Sequence, residues 1–127
     1  MSNKILVVDD AKVVRVSLGK IMKKLGFEVF EAEDGAVALE QMESHPDIAV
    51  VMLDWNMPVM NGYDFLVALR AQAKHATLPY VIMVTTETGM PSMLKALAGG
   101  ANEYVMKPFS ESIIRDKLEI LGIEEPR

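Results

Sequence analysis

The sequence predicts an α/β fold in which a five-stranded parallel sheet is doubly wound by five helices. Three observations carry that prediction. Short, wholly apolar runs recur along the chain and read as strands buried on both faces. Amphipathic stretches of helical period separate them, so the pattern is a βα repeat with right-handed crossovers. Charged residues collect directly after several of the apolar runs, at the carboxyl ends of the predicted strands, where this architecture binds its ligands.

The first strand is Ile5 to Val8. After it Val13, Val16, Leu18, Ile21, Met22 and Leu25 recur at helical spacing, and Gly26 stands where a helix ends. Glu28 to Ala32 is a weaker strand. Asp34 is placed to cap a helix from about Ala36 to Met42, which His45-Pro46 ends. Val50 to Leu53 is the third strand, followed by a helix near Tyr63 to Ala73. Tyr80 to Val84 is the fourth, and a helix follows Pro91. Glu103 to Met106 is a short fifth strand, and Ser110 to Leu121 a closing helix. No internal repeat, low-complexity tract or linker interrupts the series.

Composition narrows the chemistry. The chain has 127 residues, half of them apolar, which suits one domain with its own core. A net charge of −5 without a basic run argues against direct nucleic-acid binding. The absence of cysteine removes disulfides, thiolate metal sites and cysteine nucleophiles. The N-terminus lacks the pattern of a signal peptide, so a cytoplasmic protein is expected. The longest wholly apolar run, Ile48 to Leu53, is far short of the roughly 20 residues of a membrane span.

The first strand ends in Asp9-Asp10, the third in Asp54, the fourth in Thr85 and the fifth in Met106-Lys107-Pro108. Three carboxylates converging at one sheet edge repel one another unless a cation neutralises them. The available ligands are hard oxygens, which favour Mg²⁺, with Mn²⁺ as a substitute, over zinc or copper. Asp9-Asp10 also suits a helix N-cap pair. That alternative does not account for Asp54, which follows four apolar residues and needs a partner if buried. Lys107 is placed to bridge a carboxylate at rest and a bound phosphate afterwards, and Thr85 to add a hydroxyl donor.

Taken in order, Val7-Val8-Asp9-Asp10, Leu53-Asp54-Trp55-Asn56-Met57-Pro58, Asn61-Gly62, Val84-Thr85-Thr86 and Lys107-Pro108-Phe109 resemble the receiver domains of bacterial two-component response regulators, of the single-domain chemotaxis type. The likeness spans nearly the whole chain. It implies a flavodoxin-like three-layer sandwich with strand order 2-1-3-4-5, and a single receiver domain over residues 1–127 with no output domain. It implies that Asp54 is the nucleophile that accepts a phosphoryl group from a sensor histidine kinase. Asp9, Asp10, Asp54 and the backbone carbonyl of Asn56 would hold Mg²⁺, while Lys107 and Thr85 bind the phosphoryl oxygens. Such a protein is a phosphoacceptor regulator that catalyses only its own phosphorylation and dephosphorylation.

The resemblance further implies that Thr85 and Tyr104 form the switch, Tyr104 turning inward as the Thr86 to Pro91 loop moves. Asn56 and Glu87 would tune dephosphorylation. Output would pass to a downstream protein on the face of the fourth helix, fifth strand and fifth helix, with the flagellar motor switch as a candidate and Lys95, Ile114 and Lys117 among its positions. A monomer is expected, and Lys107-Pro108 is a candidate cis bond. Trp55 is expected partly to cover the site mouth, and Asn61-Gly62 to shape the loop after Asp54. His45 and His75 are expected to be solvated. Met57, Met60, Met90 and Met93 are expected to pack.

Four other readings compete. A haloacid dehalogenase-type phosphatase would place a second aspartate where Asn56 stands. A flavodoxin-type module would cradle a phosphate where Asp9-Asp10 repel one. A phosphorelay intermediate or a pseudo-receiver would keep the fold and change the output.

Overall fold

The computed structural model describes residues 2–87 and 89–126. Five strands, β1 (Lys4–Val8), β2 (Glu28–Ala32), β3 (Val50–Leu53), β4 (Tyr80–Thr85) and β5 (Glu103–Met106), form one sheet in the order β2-β1-β3-β4-β5. All neighbouring pairs are parallel. The helices are α1 (Lys12–Lys24), α2 (Gly35–Ser44), α3 (Gly62–Ala71), α4 (Met90–Ala98) and α5 (Glu111–Ile120). This is the predicted doubly wound α/β fold, with the strand order that the resemblance implied.

Strand side chains alternate between two cores, as the period of 2 requires. Leu6, Val8, Val51, Leu53, Val81 and Met83 pack with Ala38 and Met42 of α2, Phe65, Leu66 and Leu69 of α3, and Ala96 of α4. Ile5, Val7, Val50, Met52, Ile82 and Val84 pack with Leu18 and Met22 of α1 and Ile114 and Leu118 of α5. The result is two helices on one face and three on the other. Each central strand is sealed from water, which explains the continuous apolar runs in the sequence.

Local signals set the helix ends. Asp34 caps α2 by accepting from the Val37 amide, Asn61 caps α3 through the Asp64 amide, and Ser110 caps α5 through the Ile113 amide. After α1, Gly26 adopts φ 100°, and the Phe27 amide closes back onto the Met22 carbonyl, a termination that needs the left-handed conformation. The third helix ends at Ala71, two residues earlier than expected. A single 3₁₀ turn, Ala73–His75, follows it. Lys107-Pro108 is cis, and so is Leu78-Pro79, which the sequence reading did not anticipate.

Expectations about three individual side chains are corrected. His75 is not solvated: it is only 3 % exposed, and its Nε2 has no hydrogen-bond partner among the described residues. It lies in the 3₁₀ turn after α3, where Arg70 donates to its backbone carbonyl at 3.2 Å. His45 is half-buried, its ring 4.1 Å from that of Phe30. Ile114, expected on the partner face, is fully buried against the α1 side of the sheet.

Burial pushes the His75 pKa below its ordinary value, more than its hydrogen bond with the Leu78 backbone raises it. The unfolded chain therefore takes up the imidazole proton first, at about pH 6.5, and native stability is lost as pH falls through that value toward the lower folded pKa. Urea midpoints measured from pH 7.5 down to 5.5 are expected to fall more steeply for the wild type than for His75→Gln. Equal slopes would remove the burial penalty assigned to His75.

Candidate functional site

Each residue at the sheet edge is carried there by one further backbone hydrogen bond beyond its strand. The Asp9 amide donates to the Ala32 carbonyl at 3.1 Å, the Asp54 amide to Val8 at 2.9 Å, and the Lys107 amide to Thr85 at 2.9 Å. The ladder thus continues one step into the loops and fixes the side chains relative to one another. Asp9, Asp54 and Thr85 are almost wholly buried, at 1 %, 6 % and 0 % exposure. Asp10 faces solvent. One carboxylate oxygen from each of Asp9, Asp10 and Asp54 lies within 4.8 Å of the other two.

Lys107 bridges the buried pair. Its Nζ donates to Asp9 Oδ2 at 2.7 Å and to Asp54 Oδ2 at 3.4 Å. Burial pulls the lysine pKa down, but the two aspartates outweigh it and hold the ammonium above its usual value. Asp54 shows the opposite balance. Burial raises its pKa, and the Asp9 charge adds to that; the Thr85 hydroxyl, Lys107 and the Trp55 amide, 2.8 Å from Oδ1, offset only part. Asp54 is therefore a carboxylate short of positive charge, beside a cluster of hard oxygen donors. A small divalent cation fits that donor set.

The surrounding loops are tied to this centre. Neither Asp9 nor Asp10 is the N-cap of α1; that position is Ala11, whose amide donates to Asp9 Oδ1 at 2.9 Å. The capping alternative for the acidic pair is thus answered only by this turn. Asn56 and Glu87, expected to flank the site, meet across it, the Asn56 amide donating to Glu87 Oε1 at 2.8 Å. Thr85 Oγ1 accepts from the Glu87 amide at 3.2 Å. The Tyr104 hydroxyl donates to the Glu87 carbonyl at 2.7 Å. Tyr104 is already buried and turned inward, and burial followed by the charges of Glu87 and Asp54 raises its pKa. Thr88, within the loop expected to move, lies outside the described residues.

Trp55, next to Asp54, is partly buried against the core that holds α2 and α3, and its ring stacks on Tyr63 with centroids 5.6 Å apart. Lys95, expected on the partner face, sits 4.3 Å over the Tyr63 ring, and Lys117 is paired with Glu103 at 2.8 Å. Met57, Met60 and Met93 pack against the core, while Met90 is exposed. A further residue was not singled out from the sequence. Arg15 Nη1 donates to the Asp9 carbonyl at 2.7 Å, and its Nε to Glu31 at 3.1 Å. Its place one turn into α1 after the acidic pair is the signal that was there to read.

The family model for the response regulator receiver domain matches residues 5–119. The chain belongs to the response regulator receiver family. Among its relatives, chemotaxis protein CheY1 of Helicobacter pylori is 40% identical over 119 residues, 93% of this chain and 95% of the relative. Chemotaxis protein CheY of Pseudomonas aeruginosa is 39% identical over 117 residues, covering 91% and 93%. Among solved structures, chemotaxis protein CheY4 of Vibrio cholerae superposes with a TM-score of 0.86 at 32% identity, covering 94% of this chain and 98% of that one. A CheX–CheY–BeF3–Mg²⁺ complex from Borrelia burgdorferi gives 0.87 at 26% identity, covering 95% and 90%. This receiver is a regulator of two-component type, distinct from the phosphatase and flavodoxin readings.

The loop that delivers Asp54 depends on Gly62. Its amide donates to the Trp55 carbonyl at 2.8 Å, and a Cβ there would run into the Asp54 carbonyl oxygen. Because that neighbour is backbone, Gly62→Ala must displace the β3–α3 loop. It is expected to cost about 1–3 kcal/mol in denaturant unfolding, as overpacking does. A variant as stable as the wild type would show that the loop yields freely.

Proposed function

We propose that the protein is a phosphorylation-activated switch of a chemotaxis pathway, working as a single receiver domain in the cytoplasm. The observation that carries this reading is the buried Asp54, short of positive charge, next to Asp9, Asp10 and Lys107 in a chain that matches the receiver family almost throughout. The names of the relatives support the chemotaxis assignment. No helix among the described residues is long and apolar enough to cross a membrane.

In the proposed reaction an Asp54 carboxylate oxygen attacks the phosphorus of a phosphohistidine on a sensor kinase. The new P–O bond forms as the P–N bond breaks, and the imidazole leaves with the proton it carries. The product is an aspartyl phosphate. Asp9, Asp10, Asp54 and the Asn56 carbonyl would hold Mg²⁺, which when bound offsets the charge gathering on the phosphoryl oxygens. Lys107 is released from its double salt bridge to hold one of those oxygens, and the Thr85 hydroxyl holds another. Catalysis is positioning and charge compensation, without an external base. Asn56 and Glu87, joined across the site, control the approach of water to the acyl phosphate.

The added charge of about −1.5 to −2 acts on Thr85 and Tyr104 through Glu87. The output face is formed by α4, β5 and α5, where Met90, Leu94, Leu97, Met106 and Ile113 are exposed. Apolar side chains grouped on a receiver of net charge −5 suit a protein partner, such as the flagellar motor switch, and not nucleic acid.

Incubation with a small phosphodonor and Mg²⁺ is expected to add one phosphoryl group to the wild type and none to Asp54→Asn, read by intact mass. Equal labelling of both, or of neither, refutes the assignment. Metal binding is tested separately by thermal unfolding. Mg²⁺ at a hundredfold excess over its Kd is expected to stabilise the wild type by about 2.7 kcal/mol. Asp10→Asn, a change at a solvent-exposed ligand, is expected to lose most of that gain while folding normally in chelator.

A further inference from the structure

We infer that Arg15 is a positioning residue for the metal site, fixing the backbone from which the Asp9 and Asp10 carboxylates project. The inference rests on the proposed binding of Mg²⁺ and goes beyond it, because the Arg15 hydrogen bonds go to the Asp9 backbone carbonyl and to Glu31 and not to a ligand carboxylate. The Arg15 guanidinium joins two elements. Nη1 donates to the Asp9 carbonyl at 2.7 Å, and Nε donates to Glu31 on β2 at 3.1 Å. The Arg15 side chain is 15 % exposed and its bond to the Asp9 carbonyl is partly buried, while the Glu31 carboxylate is open to solvent.

The other supports of this turn act on the Asp9 amide and carboxylate. The amide donates to Ala32, Oδ1 accepts from the Ala11 amide, and Oδ2 accepts from Lys107, which leaves the Asp9 carbonyl to Arg15. The helix that follows begins at Ala11 without a side-chain cap and without an acidic residue in its first turn. Apart from the Ala11 amide on Asp9 Oδ1, no side chain of the first turn of α1 ties the chain leaving β1 to the neighbouring strand β2. The Arg15 fork supplies that restraint by tying the Asp9 carbonyl to Glu31, a residue one position before the Ala32 that pairs with the end of β1. An arginine does this with two separate N–H groups of one rigid plane, which a lysine cannot reproduce. Groups that orient metal ligands in this way typically set affinity by 10–100-fold when removed.

Charge and geometry predict opposite outcomes, which makes the inference decidable. Arg15 is a cation near a cation site. If it were only a bystander, Arg15→Gln would remove repulsion and tighten Mg²⁺ binding, and Arg15→Lys, with the charge kept, would change nothing. If it positions the ligands, both variants bind Mg²⁺ more weakly, and the loss in Arg15→Lys is free of any change in charge.

The experiment is calorimetric titration of Mg²⁺ into the full chain, repeated with Trp55 fluorescence, alongside thermal unfolding in chelator. The expected result is a roughly tenfold rise in Kd for Arg15→Lys, at least as large a rise for Arg15→Gln, and a smaller one for Glu31→Gln. Wild-type affinity in Arg15→Lys, or tighter binding in Arg15→Gln, overturns the inference and leaves the proposed function standing. Losses of affinity that only track losses of folded fraction in chelator overturn it as well. A wild type without saturable Mg²⁺ binding overturns the metal reading and this inference together.

Discussion

The constraint on which the rest of this structure depends is the placing of two buried carboxylates, Asp9 and Asp54, side by side at the ends of adjacent strands. The pairing of β1 with β3 sets Val8 against Leu53, so the residues that follow must share one edge. Left alone, they would repel in a region nearly shut from water. Lys107 supplies the balancing charge from β5, two strands beyond β3 in the sheet and so about 10 Å away at ordinary strand spacing. Only a long side chain covers that distance. The residue it must pass is Thr85, at the end of β4, whose small hydroxyl lies fully buried and leaves the way open. The strand order, the short residue on β4 and the long cation on β5 are parts of one solution to one electrostatic problem.

That solution also explains what was legible in the sequence. Parallel strands sealed on both faces must be wholly apolar, and the first charged or polar residue after each run marks where the strand leaves the core. Asp9, Asp54 and Thr85 could therefore be located from the runs of Ile5 to Val8, Val50 to Leu53 and Tyr80 to Val84 without knowing the order of the strands, and Lys107 from the end of the short edge strand Glu103 to Met106. Asp34, as a cap, was equally local. The order itself came with the family resemblance, since alternation of strands and helices is compatible with several arrangements.

What the sequence did not reveal depends on contacts between distant elements. Ile114 has the same helical spacing whether its face meets the sheet or a partner, and only the crossover that lays α5 beside α1 decides it. His75 follows a helix whose pattern fades near its end; the chain then makes a 3₁₀ turn that buries the imidazole, with Arg70 donating to the His75 carbonyl. Arg15 is polar at a helical position, which ordinarily reads as a solvated face. Its function as a fork appears only when β2 brings Glu31 alongside the end of β1.

Glu87 gathers the consequences of the site into one residue. Its amide donates to Thr85, its carbonyl accepts from Tyr104, and its carboxylate accepts from Asn56 in the loop after Asp54. A threonine hydroxyl carries one donor and two acceptor positions, so Thr85 can donate toward Asp54 while accepting from the Glu87 amide. Under the proposed function a phosphoryl group offers that hydroxyl a new and more strongly charged acceptor. Any shift of the hydroxyl pulls on the Glu87 backbone, and through its carbonyl on the Tyr104 hydroxyl. Because Tyr104 is packed in the core against α4 and is also a residue of β5, it cannot follow without displacing the surface beside it. Tyr104 is buried with its hydroxyl bonded to the Glu87 carbonyl, so Glu87 couples the β5 side of the sheet to the site through backbone as well as side chain.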